Sequence, residues 1–173
     1  HCSQLGDFMD RIIDFHTHIL PQIDDGSKSM DMTLELLAAE LSQGVTDIVA
    51  TPHFYAERTT ISHFIERRNR AYSDVMAELD RIGQAAPENV GERGTSTDQA
   101  AQDIPTIHLA AEVYYFPGMG RADELAALAI EPECNVILLE MPFRQWTMEE
   151  YRDICEVLDR GFTVVLVHIE RFR

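Results

Sequence analysis

The sequence predicts an α/β fold built on a parallel sheet or barrel, and three observations predict it. Five β-rich runs alternate with segments of helical periodicity. Two of the runs, 135–140 and 162–168, are almost continuously apolar, as parallel strands buried on both faces are. Each run also ends on, or is followed within two residues by, a residue able to bind a metal, and functional side chains of parallel α/β folds gather at the carboxyl ends of the strands.

The elements follow in order. Arg11 to His16 is the first strand. A helix is expected from Ser29 to Gln43, where Met30, Leu34, Leu37 (or Ala38) and Leu41 recur three or four apart and Gly44 stands where a helix stops. Thr46 to Thr51 is the second strand, closed by Pro52. Ile65, Tyr72, Val75 (or Met76), Leu79 and Ile82 mark a long helix from Ser62 to Ile82. Thr106 to Glu112 is the third strand, and Ala122 to Ala129 a short helix. Asn135 to Glu140 is the fourth strand. Thr147, with Glu150 three residues on, forms a capping box that satisfies two orphan N–H groups and starts the next helix. Gly161 ends it, and Phe162 to His168 is the fifth strand. The polar stretch Gln84 to Asp103 reads as a long surface loop.

The 173 residues fit one domain, 45% hydrophobic and 25% charged, as soluble globular chains are. Residues 1–8 are expected to be a cloning remnant or upstream extension, with Met9 the natural start and 9–173 the domain. No run of about 18 apolar residues occurs, so no membrane insertion is expected. Cys2, Cys134 and Cys155 are odd in number and widely spaced, which suits a reducing, cytoplasmic setting rather than a disulfide framework. The formal charge of −16 argues against nucleic acid as a partner, since its backbone needs a basic surface. A complete α/β barrel takes about 250 residues, so C-terminal strands are expected to be missing.

The chemistry lies at the strand ends. His16 and His18 are two apart in an extended segment, so their imidazoles share a side. Asp24, Asp25 and Gly26 follow on a turn that supplies carboxylates. Ordinary loop histidines and a plain turn are the alternative for each piece taken alone. His53 follows Pro52. Glu112 and Glu140 end otherwise apolar strands, where an unpaired carboxylate costs several kcal/mol, roughly, so a metal or an arginine partner is expected. His168 ends the fifth strand. Imidazole mixed with carboxylate suits Mn²⁺, Fe or Zn²⁺. His63 and His108 look unremarkable, and Tyr114 and Tyr115 read as packing or substrate-wall residues. No Cys-x5-Arg loop is present, which excludes a phosphocysteine mechanism.

These motifs resemble the PHP (polymerase and histidinol phosphatase) superfamily, and within it the manganese-dependent protein tyrosine phosphatases of bacterial capsule and exopolysaccharide systems. The resemblance is carried by Asp14-Phe-His-Thr-His-Ile-Leu-Pro21, Ile23-Asp-Asp-Gly26, Ala50-Thr-Pro-His53, Ala111-Glu-Val-Tyr-Tyr115, Leu139-Glu140 and Val167-His-Ile-Glu-Arg-Phe172. It implies a distorted (β/α)7-type barrel, truncated at its C-terminus. It makes His16, His18, Asp25, His53, Glu112, Glu140 and His168 ligands of a two- or three-ion centre, manganese first among the metals. Asp24 replaces or assists Asp25, and Arg171 binds the substrate phosphate. A further Asp-x-His pair of the family lies beyond the last residue. The implied partner is a phosphotyrosine protein, a bacterial tyrosine kinase regulating capsule or exopolysaccharide synthesis, with self-association left open. Two other readings stand beside it: a small-molecule phosphatase of the histidinol-phosphate type, and a metal-binding module without catalysis. A polymerase-associated nuclease-like domain fits poorly with the negative charge.

Overall fold

The computed structural model describes residues 11–85, 104–130 and 134–172. Residues 1–8 and most of the expected surface loop, 86–103, lie outside the described residues. Among the described residues there are seven strands: β1 (Ile12–Thr17), β2 (Val45–Ala50), β3 (His53–Phe54), β4 (Thr106–Leu109), β5 (Glu112–Tyr114), β6 (Val136–Glu140) and β7 (Thr163–Leu166). The described α-helices that alternate with them are α1 (Met30–Ser42), α2 (Ile61–Ala85) and α3 (Met148–Asp159). Every strand pairing within the sheets is parallel.

The helix signals hold locally. The Ser29 side chain accepts from the Met32 amide to start α1, and Gly44, at φ +80, donates to the Leu41 carbonyl at 2.9 Å. Both halves of the Thr147–Glu150 capping box are formed at the start of α3. Helix α2 runs three residues past the expected Ile82. The alanine–leucine segment is instead a 3-10 turn, Asp123–Leu128, with no side-chain cap at Ala122. So short a run without a cap favours the tighter i→i+3 bonds.

The sheet differs more. The strands form two sheets, β1-β2-β4 and β3-β5-β6-β7, and no closing pairing of a barrel is detected among the described residues. The expected third strand is creased in two, and the second, expected to close at Pro52, is followed by a further short strand. Thr51 and Pro52 separate β2 from β3, and Ala110 and Ala111 separate β4 from β5. Along the third strand, the Ala110 amide still donates to Ala50, the Ala111 amide turns away to Leu128, and the Glu112 amide resumes on Pro52. The buried Arg68 braces this crease by donating to the carbonyls of Ala110 and Ala127. The fifth strand, expected to be buried, is exposed at Val165 and Leu166 because it pairs only with β6.

Separate apolar clusters back each sheet. Ile19, Leu20, Leu37, Ile48 and Val75 pack behind the first. Phe54, Phe64, Leu125, Leu139 and Val157 pack behind the second. A third cluster, with Val49 and Ala110 from one sheet and Leu138 from the other, joins them. At the start of β2, buried Asp47 is held by Arg11, His108 and the Thr46 hydroxyl.

Candidate metal centre

The candidate residues converge because strand ends and creases bring them to one rim. His16 lies in β1 and His18 just past it. His53 opens β3 and Glu112 opens β5, and the two are paired across the ladder. Glu140 closes β6, while His168 follows β7 in the left-handed conformation, at φ +56.

Glu112 is the hub. It is fully buried, and its Oε2 lies 3.0 Å from His16 Nε2, 3.1 Å from His18 Nε2 and 3.2 Å from His53 Nδ1. Its Oε1 lies 2.7 Å from His168 Nε2. One carboxylate thus faces four imidazoles from three chain segments. Three overlapping sets have ligand atoms within 4.8 Å of one another: His16, His18 and Glu112; His18, Asp25 and His53; His53, Glu112 and Glu140. His168 stands outside these sets and meets Glu112 from the other side.

These donors fit a divalent cation. Glu112 Oε1 and His53 Nδ1 are buried without a hydrogen-bond partner, although each lies close to a charged or ionisable atom. Proximity without hydrogen-bond geometry is what ligands aimed at a shared ion show, and an orphaned buried acceptor is otherwise costly. The alternative of an arginine partner does not apply to Glu112. Glu140 has Arg171, but at 4.0 Å.

The two aspartates part company. Asp24 Oδ2 meets His18 Nδ1 at 2.7 Å and accepts the His53 amide at 2.9 Å, while Oδ1 accepts the Gly26 amide at 2.8 Å. Burial would raise the Asp24 pKa, yet His18 and the two amides hold it below the usual carboxylate range. Asp25 is largely exposed, with Oδ1 3.4 Å from His53 Nε2. Asp24 therefore faces the back of His18, and Asp25 faces the ligand cluster. Gly26 allows this turn: a Cβ there would collide with the Cβ and carbonyl oxygen of His18.

The electrostatics follow from the crowding. Burial lowers the His18 pKa, but Asp24 and Glu112 outweigh it and push it up to about 9 in the ion-free protein. Burial raises Glu112 and the surrounding histidines more than reverse this, leaving it well below the ordinary range. A cation would take over the role of those protons.

Around the cluster, Tyr55 lies 5.4 Å from the His53 ring and 5.6 Å from Tyr114, and the Arg58 guanidinium sits 4.4 Å over it. Arg171 is half-exposed and 5.7 Å from the Phe143 ring. Tyr115 is a packing residue, its hydroxyl donating to buried Asp153 at 2.8 Å. His63 and His108 stand apart, paired with Glu66 and Asp47. Tyr55 and Arg58 are not among the residues the sequence motifs single out. Tyr55 had one signal: it lies two residues from His53, on the same side of an extended segment.

Residues 12–173 match a family profile described as capsular polysaccharide synthesis, CpsB/CapC. The chain is 37% identical over 162 residues to the putative tyrosine-protein phosphatase CapC of Staphylococcus aureus, covering 92% of this chain and 54% of that protein. It is 45% identical over 164 residues to the tyrosine-protein phosphatase YwqE of Bacillus subtilis, covering 94% and 56%. Against the tyrosine-protein phosphatase CpsB of Streptococcus pneumoniae the identity is 25%, covering 93% and 58%. A solved structure from work on YwqE and CpsB, described as unique metal-dependent tyrosine phosphatases, shares the fold at a TM-score of 0.66 and 22% identity, covering 94% of this chain and 57% of that one. The chain spans about half the length of the curated relatives it matches.

Proposed function

We propose that this chain, which belongs to the CpsB/CapC family of capsular polysaccharide synthesis, carries the metal centre of a protein tyrosine phosphatase that hydrolyses phosphotyrosine. The observation that carries the reading is Glu112, a buried carboxylate facing four imidazoles with one oxygen unbonded. The names of the relatives support the activity and its substrate. In this reading His16, His18, Asp25, His53, Glu112, Glu140 and His168 hold two or three ions, Mn²⁺ ahead of Fe or Zn²⁺, within a barrel of the PHP type. Glu112, shared between ligand sets, suits a bridging role.

Divalent ions held there would supply Lewis acidity toward phosphoryl oxygens and lower the pKa of a bound water. The protein's own residues do the rest. Asp24 orients His18 through Nδ1, as partners of metal-bound histidines do. Arg171 offers a planar guanidinium beside Glu140 for two equatorial phosphate oxygens. Tyrosinate, with a parent pKa of about 10, leaves without a strong general acid. The phosphoprotein partner in this reading is a tyrosine kinase of capsule or exopolysaccharide synthesis. Cys134 and Cys155 are free thiols, which suits a cytoplasmic setting. No described helix is long and apolar enough to cross a membrane.

The test is metal content together with phosphotyrosine-peptide hydrolysis, with and without added Mn²⁺, on this chain and on His18→Ala. Manganese-dependent turnover lost on substitution is expected. Failure to retain metal after reconstitution would sink the ligand set, and bound metal without turnover would favour a non-catalytic module.

A further inference from the structure

A cleft of about 510 Å³ opens beside the centre, sharing Asp25 and His53 with it and adding Lys28, Tyr55, Arg58 and Arg67. The cations are the unexpected part. The chain has 14 basic residues against a formal charge of −16, and Lys28 is its only lysine. Elsewhere, Arg11, Arg81, Arg121 and Arg144 are each taken up by a carboxylate, Arg68 and Arg160 by backbone carbonyls, and Arg70 and Arg152 by no carboxylate among the described residues. In the cleft none of the three has a carboxylate partner among the described residues. Lys28 Nζ donates to the Asp24 carbonyl at 3.3 Å, Arg67 donates to the Ile23 carbonyl at 3.1 Å, and Arg58 lies over Tyr55. Three positive charges thus line the cleft beside the candidate reaction centre, against the two carboxylates of Asp24 and Asp25.

Tyr55 stands between the two. Its ring is 5.4 Å from His53 on one side and stacked under Arg58 on the other. A substrate phenyl ring with its phosphate at the centre would lie along Tyr55, and the peptide on either side of it would run past the cations. Arginine clusters beside an aromatic wall are a recurring solution to phosphorylated and acidic motifs.

Resting on the phosphatase reading, we propose that this cleft binds the peptide around the phosphotyrosine and selects sequences with anionic groups beside it. Those groups are carboxylate side chains or a second phosphate. The three cations set specificity through KM: they attract and hold the flanks, while the ligand cluster handles the scissile phosphate. Exposed charge contacts of this kind are individually weak and screened by salt, so the preference is cumulative and greatest at low ionic strength.

The experiment compares three phosphotyrosine peptides on the manganese-loaded chain. They differ only in their flanks: neutral residues, glutamates, or a second phosphotyrosine. A KM about tenfold lower for the anionic peptides in low salt, with the gap closing as NaCl rises, is expected. Preference for the glutamate peptide alone, or for the doubly phosphorylated one alone, identifies the source of the anion. The triple variant Lys28→Gln, Arg58→Gln, Arg67→Gln should bring the ratio of KM values close to one, and the salt series on the unaltered chain carries the test if that variant misfolds. Equal KM values for all three peptides would overturn the proposal. Fluorescent versions carrying a non-hydrolysable difluorophosphonate separate the two readings: the same order of affinities without any turnover would leave the cleft standing and remove the phosphatase.

Discussion

Replacing Asp24 by asparagine tests whether the centre is built from the ligands alone or from what stands behind them. Asp24 is nearly buried and receives three donors, two on Oδ2 and one on Oδ1. An amide has one acceptor oxygen, so Asp24→Asn must point its NH2 at one of those donors. An unmade buried hydrogen bond costs about 1–3 kcal/mol, which at this chain length lowers Tm by roughly 2–4 °C per kcal/mol. The substitution also removes one of the two carboxylates that push His18 up to about 9. The imidazole of the ion-free protein should then titrate about one unit lower or more. With its Nδ1 partner altered, His18 is less basic and less well aimed, and metal affinity should fall about 10- to 100-fold. Histidine titration by NMR on the ion-free protein and Mn²⁺ calorimetry measure the two effects separately. Asp25→Asn is the companion: it should weaken metal binding while moving His18 less. An Asp24→Asn protein whose His18 still titrates near 9 and whose Mn²⁺ affinity stays within about twofold of the parent would refute the orienting role assigned to Asp24.

Four further outcomes are expected. Glu112→Gln withdraws the carboxylate common to two of the three ligand sets and should reduce bound metal below one equivalent, as read by elemental analysis after dialysis. Gly26→Ala forces a Cβ into the backbone and side chain of His18 and should lower both Tm and metal affinity, by about 1–3 kcal/mol in stability. Thr147→Ala, by contrast, breaks only the capping box of α3, for about 1 kcal/mol in thermal unfolding with metal content unchanged. The pH dependence has opposite signs with and without metal. His18, raised from 6.5 to about 9, stabilises the ion-free fold fully below 6.5 and loses that contribution as pH rises through 9. Metal competes for the same nitrogen lone pairs, so Mn²⁺ affinity should climb with pH over this range. Melting curves and Mn²⁺ titrations between pH 6 and 10 check both.

How much of this was legible in the sequence depended on whether a side chain carried the signal. Helix ends were, because Ser29, Gly44, Thr147, Glu150 and Gly161 each satisfy or release a specific backbone group. The gathering of His16, His18, His53, Glu112, Glu140 and His168 was also legible, since parallel strands deliver their carboxyl ends to one rim. The creases were not. Pro52 hinted at the first by lacking an N–H, but Ala110 and Ala111 offer only small side chains, and the diversion of the Ala111 amide to Leu128 is a tertiary event. The division of labour between Asp24 and Asp25 was equally hidden. Adjacent carboxylates look alike in sequence and differ only in which one the amides of Gly26 and His53 reach. Lys28, Arg58 and Arg67 are spread over 40 residues of chain, and only the path from β1 to α2 brings them to one cleft.

The crease in the third strand has a mechanical side. His16 and His18 lie at the end of the sheet containing β1, whereas His53, Glu112, Glu140 and His168 lie in or at the end of strands of the one containing β5. The candidate ligands therefore straddle a seam, and an ion held among them would act as a rivet through two plates otherwise joined by the cluster of Val49, Ala110 and Leu138 and the brace of Arg68. Occupancy of the centre should stiffen that seam. Amide exchange at Ala50, Ala110 and Glu112 would slow together on loading, coupling the chemistry of the rim to the rigidity of the whole frame.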